Sequence, residues 1–197
     1  IARHAQDFAH PPLELLFTIA EETGLEGAAQ LDTTLLQGQR LINIDGMESG
    51  QFIKGCAGGN VFSLKARVTR NAAAVDNCWS LRLSGLPGGH SGVEISANRG
   101  NAILLLQRCW QLLQQRFGDD LLMIGAVGGS GHNVIPSTAV LDFSTLRSTN
   151  AEQLRAVLQP LFNHEQGLFP QLSWELSSLP GQHHPLTNSK ILAALSL

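Results

Sequence analysis

Two adjacent acidic residues, Glu21 and Glu22, directly follow the apolar run at 13–19, and Asp45 directly follows a second apolar segment at 41–44. Neighbouring carboxylates repel each other unless a cation or a proton compensates their charge. If the two apolar segments are adjacent strands of an α/β sheet, the three carboxylates meet at the sheet edge where such folds bind ligands. Carboxylate ligands suit zinc, manganese or cobalt in a hydrolytic site.

A simpler interpretation of the same acidic pair stays open. Glu21 and Glu22 can begin a short helix predicted at 25–31, because acidic side chains are favoured at the positive end of a helix. Under the catalytic interpretation, one of these carboxylates need not bind the metal at all. A carboxylate that lies beside a metal without binding it can serve as the general base for an activated water.

Two glycine-rich loops carry polar side chains. His90 lies in the loop at 88–92, between a predicted strand and a predicted helix, and Asn133 ends the loop at 128–133, between two predicted strands. Such dense glycine indicates a backbone shaped around something, although a plain turn is the alternative for each loop. Neither a phosphate loop nor a serine nucleophile is indicated. No Gly-Lys-Ser/Thr follows the second loop, and Ser91 lacks the strand–turn–helix setting of such a serine.

The elements that must position the carboxylates are predicted in the first part of the chain. The run at 13–19 is short and continuously apolar, which is typical of a strand buried on both faces in a parallel sheet. With the helix at 25–31 and the strand at 41–44, it predicts a strand–helix–strand crossover with parallel strands. The glycines at 55–59 mark a domain boundary, because glycine allows a sharp change of chain direction. We therefore predict one domain at 1–57 and a second at 58–197.

The second domain shows a different pattern. Apolar and polar residues alternate at 61–70 and at 78–86, which predicts half-exposed antiparallel strands. A helix is predicted next at 98–117, followed by strands at 121–127 and 134–147. A second helix begins at 150, and a last strand follows at 172–176. The apolar stripe of the first helix consists of Ile103, Leu106, Trp110, Leu113 and Phe117. The order predicts an α+β sandwich, with two helices on one face of an antiparallel sheet.

Local signals also mark the second helix of this domain. Asn150 and Gln153 form a possible capping box at its start. Pro160 lies inside the helical pattern and is expected to kink or shorten the helix.

Composition excludes several classes of protein. The chain has 197 residues and a formal net charge of −3, with no basic patch, so we expect no nucleic-acid partner. No apolar run approaches the ~20 residues of a membrane span, and no signal peptide is visible. The three cysteines, Cys56, Cys78 and Cys109, are predicted to be free thiols in a reducing compartment. Because the chain opens with Ile1, we expect it to be a segment of a longer protein.

The motifs together resemble the aminoacyl-histidine dipeptidases, of the co-catalytic zinc peptidase family that includes carnosinases and aminoacylases. The resemblance runs along nearly the whole chain. It is carried by PPLELLFT at 11–18, EETG at 21–24, NID at 43–45, GCAGG at 55–59, GGHSG at 88–92 and NVIP at 133–136.

The resemblance implies a role for each matching residue. Glu21 corresponds to the general base, Glu22 to a ligand of one metal, and Asp45 to a ligand of the other. His90 corresponds to a lid histidine that reaches a neighbouring active site and stabilises the developing oxyanion. Asn133 corresponds to a lid residue that helps to hold the substrate.

The same resemblance implies the wider setting. Residues 1–57 would be part of an α/β catalytic, metal-binding domain, and residues 58–197 an incomplete ferredoxin-like lid that forms a homodimer. The cofactors would be two divalent metal ions, zinc first, with cobalt or manganese as alternatives. The substrates would be dipeptides with a C-terminal histidine, and the enzyme would be cytoplasmic.

The chain also departs from this family. The family has a histidine ligand and a bridging aspartate upstream of Glu21 and a histidine ligand beyond the lid, and this chain lacks all three. Ala20 replaces a usual acidic residue, and His132 replaces a usual arginine. An incomplete ligand set binds metal weakly, so we expect the chain alone to be inactive. The alternatives are a truncated, non-catalytic lid-like dimerisation module and a related amidohydrolase or tripeptidase.

Overall fold

The computed structural model describes residues 7, 9–22, 24–46, 49–55, 58, 60, 62–65 and 67–187. The chain divides into two compact units, residues 1–59 and residues 60–197. Their assignment to a catalytic domain at 1–57 and a lid at 58–197 stays a prediction.

The first unit contains a short helix, α1 (Glu26–Ala29), and a single turn of 3-10 helix at Thr33–Leu35. Its described residues form no β-strand, so the strands predicted at 13–19 and 41–44 are wrong. A continuous apolar run forms a buried strand only where neighbouring strands pair with it and both its faces are covered. The described residues of this unit supply no such partner, and Phe17 is 88% exposed.

The second unit is a mixed structure of helices and antiparallel sheet, as predicted. Its elements are β1 (Cys78–Ser84), β2 (Gly89–His90), α2 (Ala102–Phe117), β3 (Leu121–Gly128), β4 (Val134–Ile135), β5 (Ala139–Thr145), α3 (Ala151–Leu168) and β6 (Ser173–Ser178). Four strands form one antiparallel sheet in the order β3-β5-β1-β6, and β2 pairs with β4 in a separate small sheet.

Alternating side chains give the main sheet one core face. Leu81 in β1 lies opposite Leu141 in β5 and Leu176 in β6, and all three leucines are buried. On the other face, the hydroxyl of Ser80 donates to Oδ1 of Asp142 at 2.7 Å. The alternation predicted for 78–86 is therefore confirmed, and the core-face side chains join those of both helices in one cluster.

Helix α2 begins later than its pattern predicts. Asn98 has a φ of 48°, a left-handed conformation outside the right-handed helical region, and the N-cap of α2 is Asn101. The Asn101 side chain accepts from the backbone N–H groups of Ile103 and Leu104. The prediction that Ile103 faces the core is wrong, because its side chain is 42% exposed. Leu105 and Cys109 take core-facing positions instead.

Helix α3 begins as its sequence predicts. The N–H of Gln153 donates to Oδ1 of Asn150 at 2.9 Å, and the N–H of Asn150 donates back to Oε1 of Gln153 at 3.1 Å. Pro160 does not shorten the helix, which continues to Leu168. Tertiary packing outweighs the lost backbone hydrogen bond, because Phe162 is fully buried and its ring stacks on Trp174 at 4.4 Å between centroids.

The strand predicted at 61–70 is wrong for the residues described there. Arg70 instead forms an isolated bridge with Leu186, and its guanidinium donates to the backbone oxygens of Ile124 at 3.0 Å and His184 at 2.6 Å. These contacts tie the lead-in segment of the second unit to the end of the described chain.

Two further expectations concern the cysteines and membranes. Cys78 and Cys109 are free and buried, as predicted, and Cys56 lies outside the described residues. Among the residues that the structure describes, no helix has the length and apolar character needed to cross a bilayer.

Candidate functional site

The acidic pair Glu21–Glu22 lies in an exposed turn that precedes α1. The backbone oxygen of Glu21 accepts from the N–H groups of Gly24 at 3.2 Å and Leu25 at 3.1 Å, which closes the turn. The first acidic residue inside α1 is Glu26. The structure therefore places the pair neither at the end of a strand nor in the first turn of a helix.

Asp45 is also exposed, and its N–H donates to Oδ1 of Asn43 at 2.9 Å. Within the described part of the chain, no three or more His, Cys, Asp or Glu side chains are grouped so that they could hold a metal ion. The carboxylates have the right donor chemistry, but the donor set is incomplete. The metal-site roles of Glu21, Glu22 and Asp45 stay predictions.

The two glycine-rich loops of the second unit are joined by the small sheet. His90 in β2 lies opposite Val134 in β4, and Gly89 lies opposite Ile135. One residue further on, the N–H of Ser91 donates to the backbone oxygen of Asn133 at 2.8 Å. Loops that the sequence shows as separate features are therefore one structural unit, and it carries both His90 and Asn133.

The imidazole of His90 folds back on its own loop. Its Nδ1 lies 3.1 Å from the backbone nitrogen of Gly92 and 3.3 Å from that of Val93, and both N–H groups donate to it. A ring nitrogen that accepts hydrogen bonds carries no proton, so in the neutral ring the proton resides on Nε2. Because the side chain is exposed, Nε2–H is presented outward as a hydrogen-bond donor.

Glu94 holds the backbone of His90 from two sides. Its Oε2 accepts from the N–H of His90 at 2.9 Å, and its own N–H donates to the His90 carbonyl oxygen at 2.9 Å. Its other carboxylate oxygen forms a close ion pair with Arg99. Gly89 makes room for this arrangement, because a Cβ there would lie 2.3 Å from Oε2 of Glu94 and its φ is +140°.

Sequence reasoning missed Glu94 and Arg99. The available signal was an acidic residue four positions after His90 and a basic residue five positions after that acidic residue, which by itself indicates no contact. Their partnership depends on the path of the loop backbone, which residue spacing does not specify.

The side chain of Asn133 completes the candidate site. The residue is half-buried, and its carboxamide makes no hydrogen bond to any residue within the described ranges. Oδ1 lies 3.4 Å from the position that a Cβ on Gly131 would occupy. The two joined loops therefore offer an imidazole N–H donor and a carboxamide with both a donor and an acceptor. This combination is suited to binding the polar groups of a peptide.

Comparison with known proteins finds similarity to peptidases in both structure and sequence. The structure matches that of aminoacylhistidine dipeptidase from Vibrio alginolyticus with a TM-score of 0.58 and 25% sequence identity, over 91% of this chain and 37% of that one. No family model matches the chain.

The sequence comparison finds similarity to a dipeptidase. The chain is 40% identical over 135 residues to cytosol non-specific dipeptidase of Escherichia coli (strain K12), which covers 68% of this chain and 27% of that protein. The resemblance drawn from the motifs is thereby confirmed, and the chain is related to a segment of these hydrolases. It spans only about a quarter of the length of that curated relative.

Proposed function

We propose that the chain is part of a metal-dependent dipeptidase, to which it contributes carboxylates of the metal centre and lid residues that meet the substrate. The 40% identity to a dipeptidase over 135 residues carries this proposal. The joined loops that hold His90 and Asn133 support it, because they bring together two side chains able to bind a peptide.

In the first unit, Glu22 and Asp45 would each bind one of two divalent ions, zinc first and cobalt or manganese as alternatives. When bound, these ions supply Lewis-acid polarisation of the scissile carbonyl. Glu21 would accept the proton of the attacking water and return it to the leaving amine. The exposure of all three carboxylates leaves them accessible to the rest of such a site.

In the second unit, His90 would donate its Nε2–H to the carbonyl oxygen of the scissile bond as negative charge develops there. The two backbone donors on Nδ1 support this role, because they keep the ring in the tautomer that can donate from Nε2. Asn133 would bind a backbone group of the substrate. If His90 acts on the active site of a second subunit, the enzyme must be a homodimer formed through the lid.

The proposed substrates are dipeptides, including those with a C-terminal histidine. One relative is named a non-specific dipeptidase and the other an aminoacylhistidine dipeptidase, so the two names agree on dipeptides. We place the enzyme in the cytoplasm, in line with the cytosolic name of the first relative.

A second candidate function is a non-catalytic, lid-like dimerisation module. It is favoured by the difference between the two units. The second unit has its own core, in which Phe143 and Phe162 are fully buried. None of the described residues of the first unit is buried. Sedimentation of the purified chain tests this candidate, which requires a stable dimer.

The first experiment uses the purified 197-residue chain. Its metal content is measured after exposure to zinc, manganese or cobalt, and its hydrolysis of Gly-His, Ala-Ala, a tripeptide and an N-acyl amino acid is assayed. We expect weak metal binding and no cleavage, because an incomplete ligand set loses most of the binding free energy. Clear cleavage of Gly-His by this chain would contradict the expected inactivity.

The second experiment extends the reading frame in both directions: upstream of Ile1, where we expect an H-x-D motif followed by a further aspartate, and downstream of Leu197, where we expect the histidine ligand beyond the lid. The extended protein should cleave dipeptides, and Glu21→Gln should lower kcat by about 10²-fold or more. Glu26→Gln, an exposed acidic residue of α1, is the matched control and should change little. Cleavage of N-acyl amino acids or tripeptides in preference to dipeptides would instead favour the related amidohydrolases or tripeptidases.

A further inference from the structure

We propose that Glu94 and Arg99 are positioning residues that hold the imidazole of His90 with its Nε2–H facing outward. The role of His90 rests on the proposed function above, but the geometry of the three residues does not. Glu94 contacts both backbone polar groups of His90, at 2.9 Å each, and Arg99 pairs with the other carboxylate oxygen of Glu94.

The first step concerns the backbone of His90. His90 belongs to a two-residue strand, which by itself has little to keep it in place. The N–H of His90 is directed to Oε2 of Glu94, and a hydrogen bond to a charged acceptor is stronger than a neutral one. The backbone bond from Glu94 to the His90 carbonyl closes the same turn, so one residue fixes both backbone polar groups of His90.

The second step concerns the carboxylate itself. A free glutamate side chain samples many rotamers and loses conformational entropy when it is held. Arg99 offsets this cost, because its ion pair fixes the second carboxylate oxygen while the first accepts from His90. The two side chains are about one-third exposed, at 36% for Arg99 and 31% for Glu94, so the pair acts by orientation more than by net free energy.

The third step connects the backbone to the ring. The N–H groups of Gly92 and Val93 reach Nδ1 of His90 only while residues 90–94 keep the turn that Glu94 closes. Loss of the Glu94 carboxylate removes the acceptor of the His90 N–H and leaves the backbone bond to the His90 carbonyl in place, so the turn should loosen and hold Nδ1 less firmly. The ring would then exchange between its two neutral tautomers and between rotamers, and Nε2–H would lose its fixed direction.

The test uses the whole 197-residue chain labelled with ¹⁵N. Two properties are measured by NMR: the ring nitrogen shifts of His90 at a pH where the ring is neutral, and the hydrogen exchange of the His90, Gly92 and Val93 amides. The wild-type ring should show a protonated Nε2 and an unprotonated, hydrogen-bonded Nδ1. Glu94→Ala should shift both nitrogens towards a tautomer average and speed exchange of the His90 amide by about tenfold or more.

Matched variants separate positioning from general stability. Glu175→Ala removes an exposed glutamate of β6 and should leave the His90 signals unchanged. Arg99→Met should reproduce part of the Glu94→Ala effect. Arg99→Lys, which keeps the positive charge, should instead give His90 signals close to those of the wild type. If Glu94→Ala does not fold, Glu94→Gln and Arg99→Met carry the same measurement.

Unchanged ring shifts and amide exchange in a folded Glu94→Ala protein would overturn the proposal. So would changes of equal size at His90 in Glu175→Ala. Because neither readout requires metal or peptide cleavage, the result stands apart from whether the dipeptidase function is correct.

Discussion

Arg108 of α2 and Glu165 of α3 form a close ion pair that joins the two helices over the sheet. The carboxylate side is nearly enclosed, with 8% of the Glu165 side chain exposed, whereas 52% of the Arg108 side chain is exposed. A buried carboxylate is costly without a partner. Arg108 is therefore expected to matter mainly because its loss would leave Glu165 uncompensated.

The first prediction concerns this pair. Arg108→Met, which keeps the aliphatic stem, should lower the free energy of unfolding by about 1–3 kcal/mol in urea titrations. Adding Glu165→Leu should recover most of that loss, because two apolar side chains at a buried site leave no unpaired charge. Arg116→Met, at an exposed position of α2, is the control. A loss no larger than that of the control would show that water already compensates Glu165.

The second prediction concerns Gly85, which follows β1. Its φ is +81°, and a Cβ there would lie 2.0 Å from the backbone oxygen of Gln171. Gly85→Ala should therefore lower the free energy of unfolding by about 2–4 kcal/mol, because it adds backbone strain to a clash that a side-chain rotation cannot relieve.

Gly167 in α3 provides the opposite case. Open space surrounds the position of its Cβ, and alanine is the better helix former. Gly167→Ala should be neutral or should raise the free energy of unfolding by up to about 1 kcal/mol. Equal effects of the two substitutions would mean that the turn at Gly85 can rearrange.

The third prediction concerns the difference between the two units. Proteases cut where the backbone can open locally, and segments without buried side chains open most easily. Trypsin should therefore cleave after Arg40 and Lys54 in the first unit before it cleaves after Arg116 and Arg155, which lie in helices of the second unit. Mass spectrometry of a time course gives the order. Early cleavage after Arg116 would contradict the stability assigned to α2.

These features also show what the sequence could and could not predict. The capping box of Asn150 and Gln153 and the alternation around Leu81 were predictable, because both depend on residues close together in the chain or on a simple period. The run at 13–19 was not, because whether an apolar run becomes a strand depends on partners elsewhere.

The candidate site divides in the same way. His90 and Asn133 could be singled out by their glycine-rich loops, whereas their union in one small sheet depends on the pairing of β2 with β4. The contribution of Glu94 depends on the left-handed φ of Gly89, a backbone property that no spacing of polar residues reveals.

The last prediction concerns the buried thiol of Cys109. Burial raises the pKa of this thiol from 9.0 to about 12, because the thiolate would lose its hydration. Below about pH 9 the thiol is protonated in both the folded and the unfolded chain, so its contribution to stability is fully present. Above that pH only the unfolded chain loses the proton, and the free energy of unfolding should fall by up to about 1.4 kcal/mol per pH unit until the folded thiol also ionises.

Urea titrations at about pH 8 and about pH 10 measure this loss. Cys109→Ala is the matched variant. It should cost about 1 kcal/mol at about pH 8, because it leaves a small cavity in the core. The difference from wild type should shrink at about pH 10, because the variant lacks the thiol's share of the alkaline loss. Burial also raises the pKa of Cys78, so Cys78 should leave the variant with a residual fall of the same sign. An identical alkaline loss in wild type and Cys109→Ala would show that Cys109 is not the group that titrates.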